Sequence, residues 1–357
     1  PTDLLRRITP EFVANENLGF VDINSRVLND RENLITQGKS FLTNLGNDLK
    51  YQDGIYGFLF FTGRAFMIKK SAVIEVGGWP ENYIGEDWAL SLEMRLKGFD
   101  GKFISYAAYG MKEPSSLRGV KIQYKRWSLG ASQLILKKSL SIIKSSVLTW
   151  PEKLSALTTL SSYLGMEAMI FFSTIFSAVL YNYPLLKTLS FFESPVAGFG
   201  LSTWSIPFMV AGLALASIRM TRVAQHSLKE FPKKFLSASL IVTSVMADVV
   251  YSALSALWTG RWYFQSPSRR AERASILGTL LDFRLNVGFG IFYFASILSI
   301  IPWESLPYHW LGLTLAASLI GTPFILTNMV GRGESGVRSA DEPQGDRHAP
   351  LRIARGS

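Results

Sequence analysis

Long apolar runs in the second half of this chain restrict its possible folds more than any other feature. Several approach the ~20 residues that a helix needs to cross a lipid bilayer, and few charged residues interrupt them. Roughly the first 150 of the 357 residues have instead the composition of a soluble domain. We therefore predict a soluble front followed by a helical transmembrane bundle, with apolar segments at residues 162–181, 199–218, 236–258, 287–302 and 308–330.

Positive charge lies mainly beside the apolar runs and accounts for much of the net charge of +10. The loops at residues 219–235 and 259–286 are both basic, as cytoplasmic loops are, so no nucleic-acid partner is needed to explain the charge. Because the segment from Leu236 to Trp258 lies between these two loops, we expect that it does not cross the bilayer once, but lies at the interface, re-enters or forms a tight hairpin. Four or six spans then return the tail to the cytoplasm. That tail, residues 331–357, has almost no apolar residues, which predicts disorder.

The soluble front alternates between strand and helix patterns. An amphipathic segment through Phe12 precedes a predicted strand at residues 18–23 and a helix at 29–49. Residues 55–68 are rich in Phe and broken by Thr62 and Gly63, which predicts a strand entering and leaving a turn that closely approaches another part of the molecule. A helix should begin at residues 85–87 and stop at Gly98, with a strand at 102–109 after it. This alternation predicts a mixed α/β domain, and residues 115–146 predict a basic amphipathic helix at a membrane surface.

Two acidic residues, Glu86 and Asp87, lie at the predicted start of the helix that ends at Gly98. Acidic residues at this place usually complement the helix dipole, which is the simpler interpretation. The functional interpretation is that a carboxylate held ionised there accepts a proton from a sugar hydroxyl. Asp87, with the shorter and more fixed side chain, is then the better candidate for the general base.

A second group, Gln123, Arg126 and Trp127, shares one face of the amphipathic helix because its members are three and four residues apart. Arg offers a fork of donors suited to a diphosphate, Gln adds a neutral hydrogen bond, and Trp offers a flat face to a sugar ring. Arg and Trp on such a helix are also ordinary membrane-interface anchors. The residues alone leave both interpretations open.

Together, the Glu86-Asp87 pair and the Gln123-x-x-Arg126-Trp127 motif resemble the acceptor-side signature of membrane-embedded family 2 glycosyltransferases. This cellulose synthase-like superfamily includes hyaluronan and chitin synthases and ceramide glucosyltransferase. Its acidic motif is usually Thr-Glu-Asp, and Gly85 takes the Thr place here. Weaker matches are the Phe60-Phe61-Thr62-Gly63 turn, the Gly77-Gly78-Trp79 turn, and a gating-loop-like stretch with Phe264, Ser266 and Arg269.

The resemblance implies an inverting glycosyltransferase. Residues 1–114 would be the C-terminal part of a GT-A-type domain, and residues 115–160 would form interface helices that carry the Gln-x-x-Arg-Trp motif. Residues 161–330 would form the transmembrane bundle, with its cytosolic loop at 259–286. Residues 331–357 would be a disordered basic tail. Asp87 would be the general base, with Glu86 beside it as the second candidate catalytic residue. Gln123, Arg126, Trp127, Thr62, Gly63 and Trp79 would bind substrates. The catalytic domain and tail would be cytoplasmic, in contact with membrane lipids, and the partners would be a UDP- or GDP-sugar donor and a glycan or lipid acceptor.

One part of the family's machinery is absent from this sequence. The chain contains no Asp-x-Asp motif and no cysteine, so the resemblance implies that the ligands of a Mg²⁺ or Mn²⁺ ion belong to a donor-binding half before Pro1, or to a second chain. The sequence predicts that this chain alone is inactive. Two alternatives to a polysaccharide synthase stay open, namely a non-processive enzyme acting on a lipid and a non-catalytic membrane subunit of a glycan synthase.

Overall fold

A computed structural model of the protein describes residues 4–162, 229–260, 275–300 and 310–333. Several predictions fall elsewhere. The apolar segment at 199–218, all but the first residue of the segment at 162–181, and the gating-loop residues Phe264, Ser266 and Arg269 lie outside the described residues. So does most of the tail, because the last described helix ends at residue 333.

The front of the chain forms a small sheet with helices around it. Its elements are α1 (Leu4–Ala14), β1 (Leu18–Val27), α2 (Leu34–Tyr56), β2 (Phe66–Ile68), α3 (Lys70–Glu75), α4 (Glu86–Leu96), β3 (Asp100–Met111) and α5 (Leu117–Lys144). The three strands lie in the order β2-β1-β3, with β1 antiparallel to β2 and parallel to β3. Residues 150–162 are also helical. The predicted mixed α/β domain is confirmed.

Two apolar cores lie on opposite faces of this sheet. Ile8 of α1 packs with Val21 and Ile23 of β1 on one face. On the other face, Phe20 of β1 packs with Leu90 of α4. Side chains on a strand alternate between faces, so one strand supplies both cores. The sheet is therefore covered on both sides, as expected for an α/β layer architecture.

The prediction of a strand across residues 55–68 is wrong for most of its length. α2 continues to Tyr56, and only Phe66–Ile68 forms a strand. Residues 58–61 between them are buried without joining the sheet. Phe58 and Phe60 enter a core with α4 and α5, whereas Leu59 and Phe61 enter the core with Phe20. The alternation of apolar residues correctly indicated that both sides of this segment are buried. One side is covered by the core with α4 and α5 and the other by the core with Phe20, and among the described residues the segment has no strand beside it in the sheet.

The helix predicted at residues 29–49 is shifted towards the C-terminus in the structure. Asn33 forms a capping box with Thr36, in which the Asn33 side chain accepts from Thr36 N at 3.0 Å and the Thr36 hydroxyl accepts from Asn33 N at 3.0 Å. Because the cap satisfies the first free amides, the helix begins at Leu34. The predictions for α4, β3 and α5 are confirmed within a few residues, with Gly85 as the N-cap of α4 and Gly98 at a φ of 98° just after it.

The described apolar part of the chain is helical. It comprises α6 (Phe231–Thr259), α7 (Ile276–Asp282), α8 (Arg284–Ile300) and α9 (Trp310–Gly333). α6 is one continuous helix of 29 residues, and its most apolar 18-residue stretch has a mean hydropathy of 1.8. A tight hairpin or a re-entrant turn between Leu236 and Trp258 is therefore wrong. Within the described ranges, α6 alone is long and apolar enough to cross a bilayer. The predicted transmembrane bundle is thus not confirmed.

α6 packs directly on the front of the chain. Ile35 of α2 and Val120 of α5 share one buried cluster with Ile241 and Val245 of α6. The helices approach closely at Gly38, where an added Cβ would lie 2.7 Å from the Ile241 side chain and 2.8 Å from the backbone nitrogen of Ala238. Only glycine permits this approach, and α2 therefore contacts both the sheet and α6.

A buried polar side chain, Asn286, joins the three long apolar helices. Its amide donates to the carbonyls of Thr243 in α6 and Leu319 in α9, at 2.8 and 3.2 Å. Its Oδ1 accepts from Ala247 N at 2.9 Å. A buried amide needs such partners to offset its desolvation, so Asn286 fixes α8 against α6 and α9.

Candidate active site

The acidic pair predicted as the base lies in the first turn of α4, with both side chains partly exposed. Asp87 Oδ2 accepts a hydrogen bond from Gly63 N at 2.6 Å, and Asp87 Oδ1 accepts from Trp88 N at 2.9 Å. These two backbone N–H groups hold both carboxylate oxygens in place at the start of the helix. Asp87 is therefore a fixed carboxylate at a surface that a ligand can reach.

The turn at Thr62 and Gly63 makes the close approach that the sequence predicts, and its neighbour is Asp87. Gly63 is exposed, and a Cβ added to it would lie 3.1 Å from Asp87 Oδ2. The turn residue must stay small to bring its N–H to the carboxylate. This contact joins two motifs 24 residues apart in sequence.

The acidic motif and the Gln-x-x-Arg-Trp motif also meet. Arg126 Nη2 lies 3.8 Å from Glu86 Oε1, and both side chains are about one-third exposed. The N-terminus of α4 abuts α5 because Gly85 and Gly130 face one another, with a Cβ on Gly130 reaching 3.0 Å from Gly85 N. An ion pair this exposed contributes little to stability. The contact nevertheless places both motifs at one surface of the molecule.

Trp127 lies beneath two cations. Lys39 Nζ of α2 is 4.8 Å from the centre of a Trp127 ring, and the Arg64 guanidinium carbon is 5.4 Å from it. The Tyr124 ring adjoins Trp127, at 5.2 Å between centroids. The motif face of α5 therefore combines aromatic rings with neighbouring cations, of which Arg64 is the more exposed, an arrangement that suits a sugar next to an anionic group.

Glu113, which the sequence reasoning missed, balances these charges. Its buried carboxylate lies 3.5 Å from Lys39 Nζ and 3.3 Å from Arg64 Nη1, and it accepts a hydrogen bond from the Thr43 hydroxyl at 2.7 Å. Gln123 hydrogen-bonds to it as well. Burial acts to raise the pKa of Glu113, but the two cations and these hydrogen bonds outweigh burial and hold the pKa below its ordinary value.

For the pKa of Lys39, burial outweighs the neighbouring opposite charge. Its side chain is 1% exposed, and burial lowers the pKa of its ammonium to about 8, against an upward contribution from Glu113. The sequence contains a signal for this residue, since Lys39 follows the buried Ile35 by one helical turn and so lies on the same side of α2. A charge on an apolar helix face indicates a buried partner.

Other predicted residues are placed differently. Trp79 is 40% exposed and stacks on Phe66 of β2, at 6.2 Å between ring centroids, so it packs against the sheet. Gln123 Oε1 is buried without a hydrogen-bond partner among the described residues.

Within the described ranges, no group of three or more His, Cys, Asp or Glu side chains could hold a metal ion. The described residues therefore do not fit a Mg²⁺ or Mn²⁺ site.

The family is shown by comparison with known proteins. The model of glycosyl transferase family group 2 matches residues 1–331, and this chain belongs to that family.

Individual relatives are similar over shorter stretches. A probable glucomannan 4-beta-mannosyltransferase 11 of Arabidopsis thaliana is 26% identical over 213 residues, which are 58% of this chain and 46% of the relative. Glucomannan 4-beta-mannosyltransferase 1 of Oryza sativa subsp. japonica is 29% identical over 149 residues, which are 41% of this chain and 29% of the relative. The chain spans less than half the length of these curated relatives.

Proposed function

We propose that this chain supplies the catalytic base and acceptor side of an inverting glycosyltransferase that extends a polysaccharide from a nucleotide-sugar donor. One observation carries the proposal: Asp87 is fixed by Gly63 N–H at 2.6 Å, and its neighbour Glu86 faces Arg126 of the Gln-x-x-Arg-Trp motif. Family membership over residues 1–331 supports it. The glucomannan mannosyltransferases among the relatives favour a mannosyl or glucosyl donor and a glycan acceptor.

In the proposed reaction, Asp87 accepts the proton of an acceptor hydroxyl as its oxygen attacks the anomeric carbon of the donor sugar. The bond from that carbon to the nucleoside diphosphate breaks on the opposite face, so the configuration inverts. Arg126 and Gln123 donate hydrogen bonds to the departing diphosphate, and Trp127 supports the terminal sugar of the acceptor. A positioned base of this kind contributes about 10²- to 10⁴-fold to the rate.

The remaining part of the donor site is proposed to come from residues beyond this sequence, in the same protein or in a second chain. The short coverage of the relatives supports this. Because the described residues do not fit a metal, no step here depends on one. Robust sugar transfer by residues 1–357 alone would show that this part of the proposal is wrong.

We also propose that the site faces the cytoplasm at a membrane surface. α5, which carries the motif, exposes Leu136, Leu140 and Ile143 to about half or more of their area, and α6 is long enough to span. An apolar stripe beside lysines is typical of an interfacial helix. A tag placed after Val330 should be protected from protease in sealed, right-side-out vesicles, and digestion there would refute the topology.

The experiment that tests the base is Asp87→Asn in the full-length protein. Membranes carrying it receive GDP-mannose or UDP-glucose with an oligosaccharide acceptor, and labelled product is divided into polymer and lipid extract. We expect turnover to fall about 10²- to 10⁴-fold, with label lost from the polymer. Glu93→Gln, on the same helix and paired with Lys138, is the matched control and should keep normal turnover.

The same assay separates the alternatives. Normal turnover of Asp87→Asn would refute the base assignment and favour a non-catalytic membrane subunit. Label that appears in the lipid extract of the wild type would instead favour the non-processive enzyme with a lipid acceptor.

A further inference from the structure

Asp22 is a buried carboxylate that the proposed reaction does not use. It lies on β1, the central strand of the sheet, and is 1% exposed. Burial raises the pKa of Asp22, and the nearby Lys50 ammonium acts in the opposite direction. An acidic residue in the middle of a strand is costly unless it makes compensating contacts, so its contacts indicate what it does.

Lys50 of α2 connects Asp22 to the Thr62 turn. Its Nζ lies 2.8 Å from Asp22 Oδ2 and also donates to the Thr62 hydroxyl at 3.2 Å. Thr62 N in turn donates to Asp22 Oδ1 at 3.4 Å. Since all three residues come from different segments, the ion pair holds the turn against both the strand and the helix.

The far side of this turn is the donor to the proposed base. Gly63, the next residue, gives its N–H to Asp87 Oδ2 at 2.6 Å, and a Cβ on Gly63 would lie 3.1 Å from the same oxygen. With so little space, displacement of the turn must displace the Asp87 carboxylate or break its hydrogen bond. A shift of about 1 Å in a reacting group is enough to cost about 10²-fold in rate.

We infer that Asp22 and Lys50 are positioning residues for catalysis: they hold the Thr62–Gly63 turn so that Gly63 N–H aims the Asp87 carboxylate at the acceptor hydroxyl. This rests on the proposed role of Asp87 as base. Neither residue contacts the reacting atoms. Their effect is therefore on turnover, and the binding of donor and acceptor is left unchanged.

Lys50→Met in the full-length protein in membranes is the first test, because Met keeps the length of the side chain and removes its charge. We expect kcat to fall about 10- to 100-fold with KM for donor and acceptor within twofold of the wild type. Lys50→Arg, which keeps a cation between the same partners, should recover most of kcat. The matched control is Lys138→Met, since Lys138 is also partly buried and pairs with Glu93, away from the turn. It should have normal kinetics.

Thr62→Val is the second test, and it tests the positioning role even if Lys50→Met fails to fold. Val keeps the shape of Thr62 and the Asp22–Lys50 pair, and removes only the hydroxyl. We again expect lower kcat at unchanged KM. A rise in KM at normal kcat would mean that Thr62 contacts substrate, and it would overturn the positioning role.

A double variant separates this inference from the proposed function. If Lys50 acts through Asp87, adding Lys50→Met to Asp87→Asn produces no further loss of residual turnover. A further loss of the same size as in the single variant would overturn the inference. Normal kcat in Lys50→Met and Thr62→Val, together with an inactive Asp87→Asn, would refute the positioning role and leave the base in place. An active Asp87→Asn would refute both.

Discussion

Replacing Glu113 by Gln tests how the charges beside Trp127 are held. Gln keeps the shape of the side chain and can still accept from the Thr43 hydroxyl, but it removes the negative charge. Lys39, at 3.5 Å, and Arg64, at 3.3 Å, both lose their counter-ion. Arg64 is 25% exposed and can turn towards water, whereas Lys39 is 1% exposed and cannot. Lys39 therefore decides the size and the pH dependence of the effect.

The magnitude follows from the pKa of Lys39, which is lowered from 10.5 to about 8 in the folded protein. Glu113 raises this pKa, so the variant has a lower one. The unfolded Lys39 is the same in both proteins and cancels in the comparison. The contribution of Glu113 through Lys39 is thus present below about pH 8 and lost above it. Each pH unit below 8 is worth on the order of 1 kcal/mol until the variant's own pKa is reached. The extra destabilisation therefore grows as the pH falls from 8 towards that pKa, and it is near zero at pH 9.

The loss of stability is measured as the difference in melting temperature between the wild type and Glu113→Gln. Both proteins are purified at full length in detergent and heated at one scan rate. A pH-independent loss from the weakened Arg64 and Thr43 contacts is expected at every pH. The difference should widen from pH 9 to pH 6 by about 2–4 °C for each kcal/mol. In a Lys39→Met background, the effect of Glu113→Gln should no longer vary with pH. An equal difference at pH 6 and 9 in the original background would refute the assigned ionisation of Lys39.

Three further predictions concern packing and the turn. Gly38→Ala should destabilise the protein by about 1–3 kcal/mol, because the added methyl group pushes α2 away from α6. Gly46→Ala is the control on the same helix: nothing lies within 4 Å of its Cβ, so it should stabilise the protein by about 0.5–1 kcal/mol. Thermal melting compares the two variants, and equal effects would contradict the close approach at Gly38. Asn286→Ala should cost about 1–3 kcal/mol by removing the buried hydrogen bonds that join α8 to α6 and α9. It is measured in the same way, and a normal melting temperature would be the contrary result. Gly63→Ala should lower kcat by displacing Asp87, and normal turnover would show that the turn has room to spare.

The sequence predicted best the elements whose signals are local. Gly85 and Gly98 bracket α4, and the amphipathic pattern of residues 115–146 predicts α5 close to where it lies. Ser116 caps α5, with its hydroxyl accepting from Gly119 N. The start of α2 was missed because a capping box depends on side-chain geometry at Asn33. The Phe-rich residues 58–61 do not form the predicted strand, because alternation shows that two sides are buried but not whether a neighbouring strand or a helix covers them.

By itself, the sequence determined the residue types of the candidate site and the apolar character of the second half. The spacing within the Gln-x-x-Arg-Trp motif and the Glu86-Asp87 pair at a helix start are local patterns, which the chain alone sets. Only the tertiary structure decided that Glu113 neutralises Lys39 and that Asp22 and Lys50 hold the turn beside Asp87. The physical reason is that a buried charge is tolerated only beside its partner, and these partners come from distant segments. Thr43 and Glu113, for example, are 70 residues apart, and no local pattern reveals that they meet.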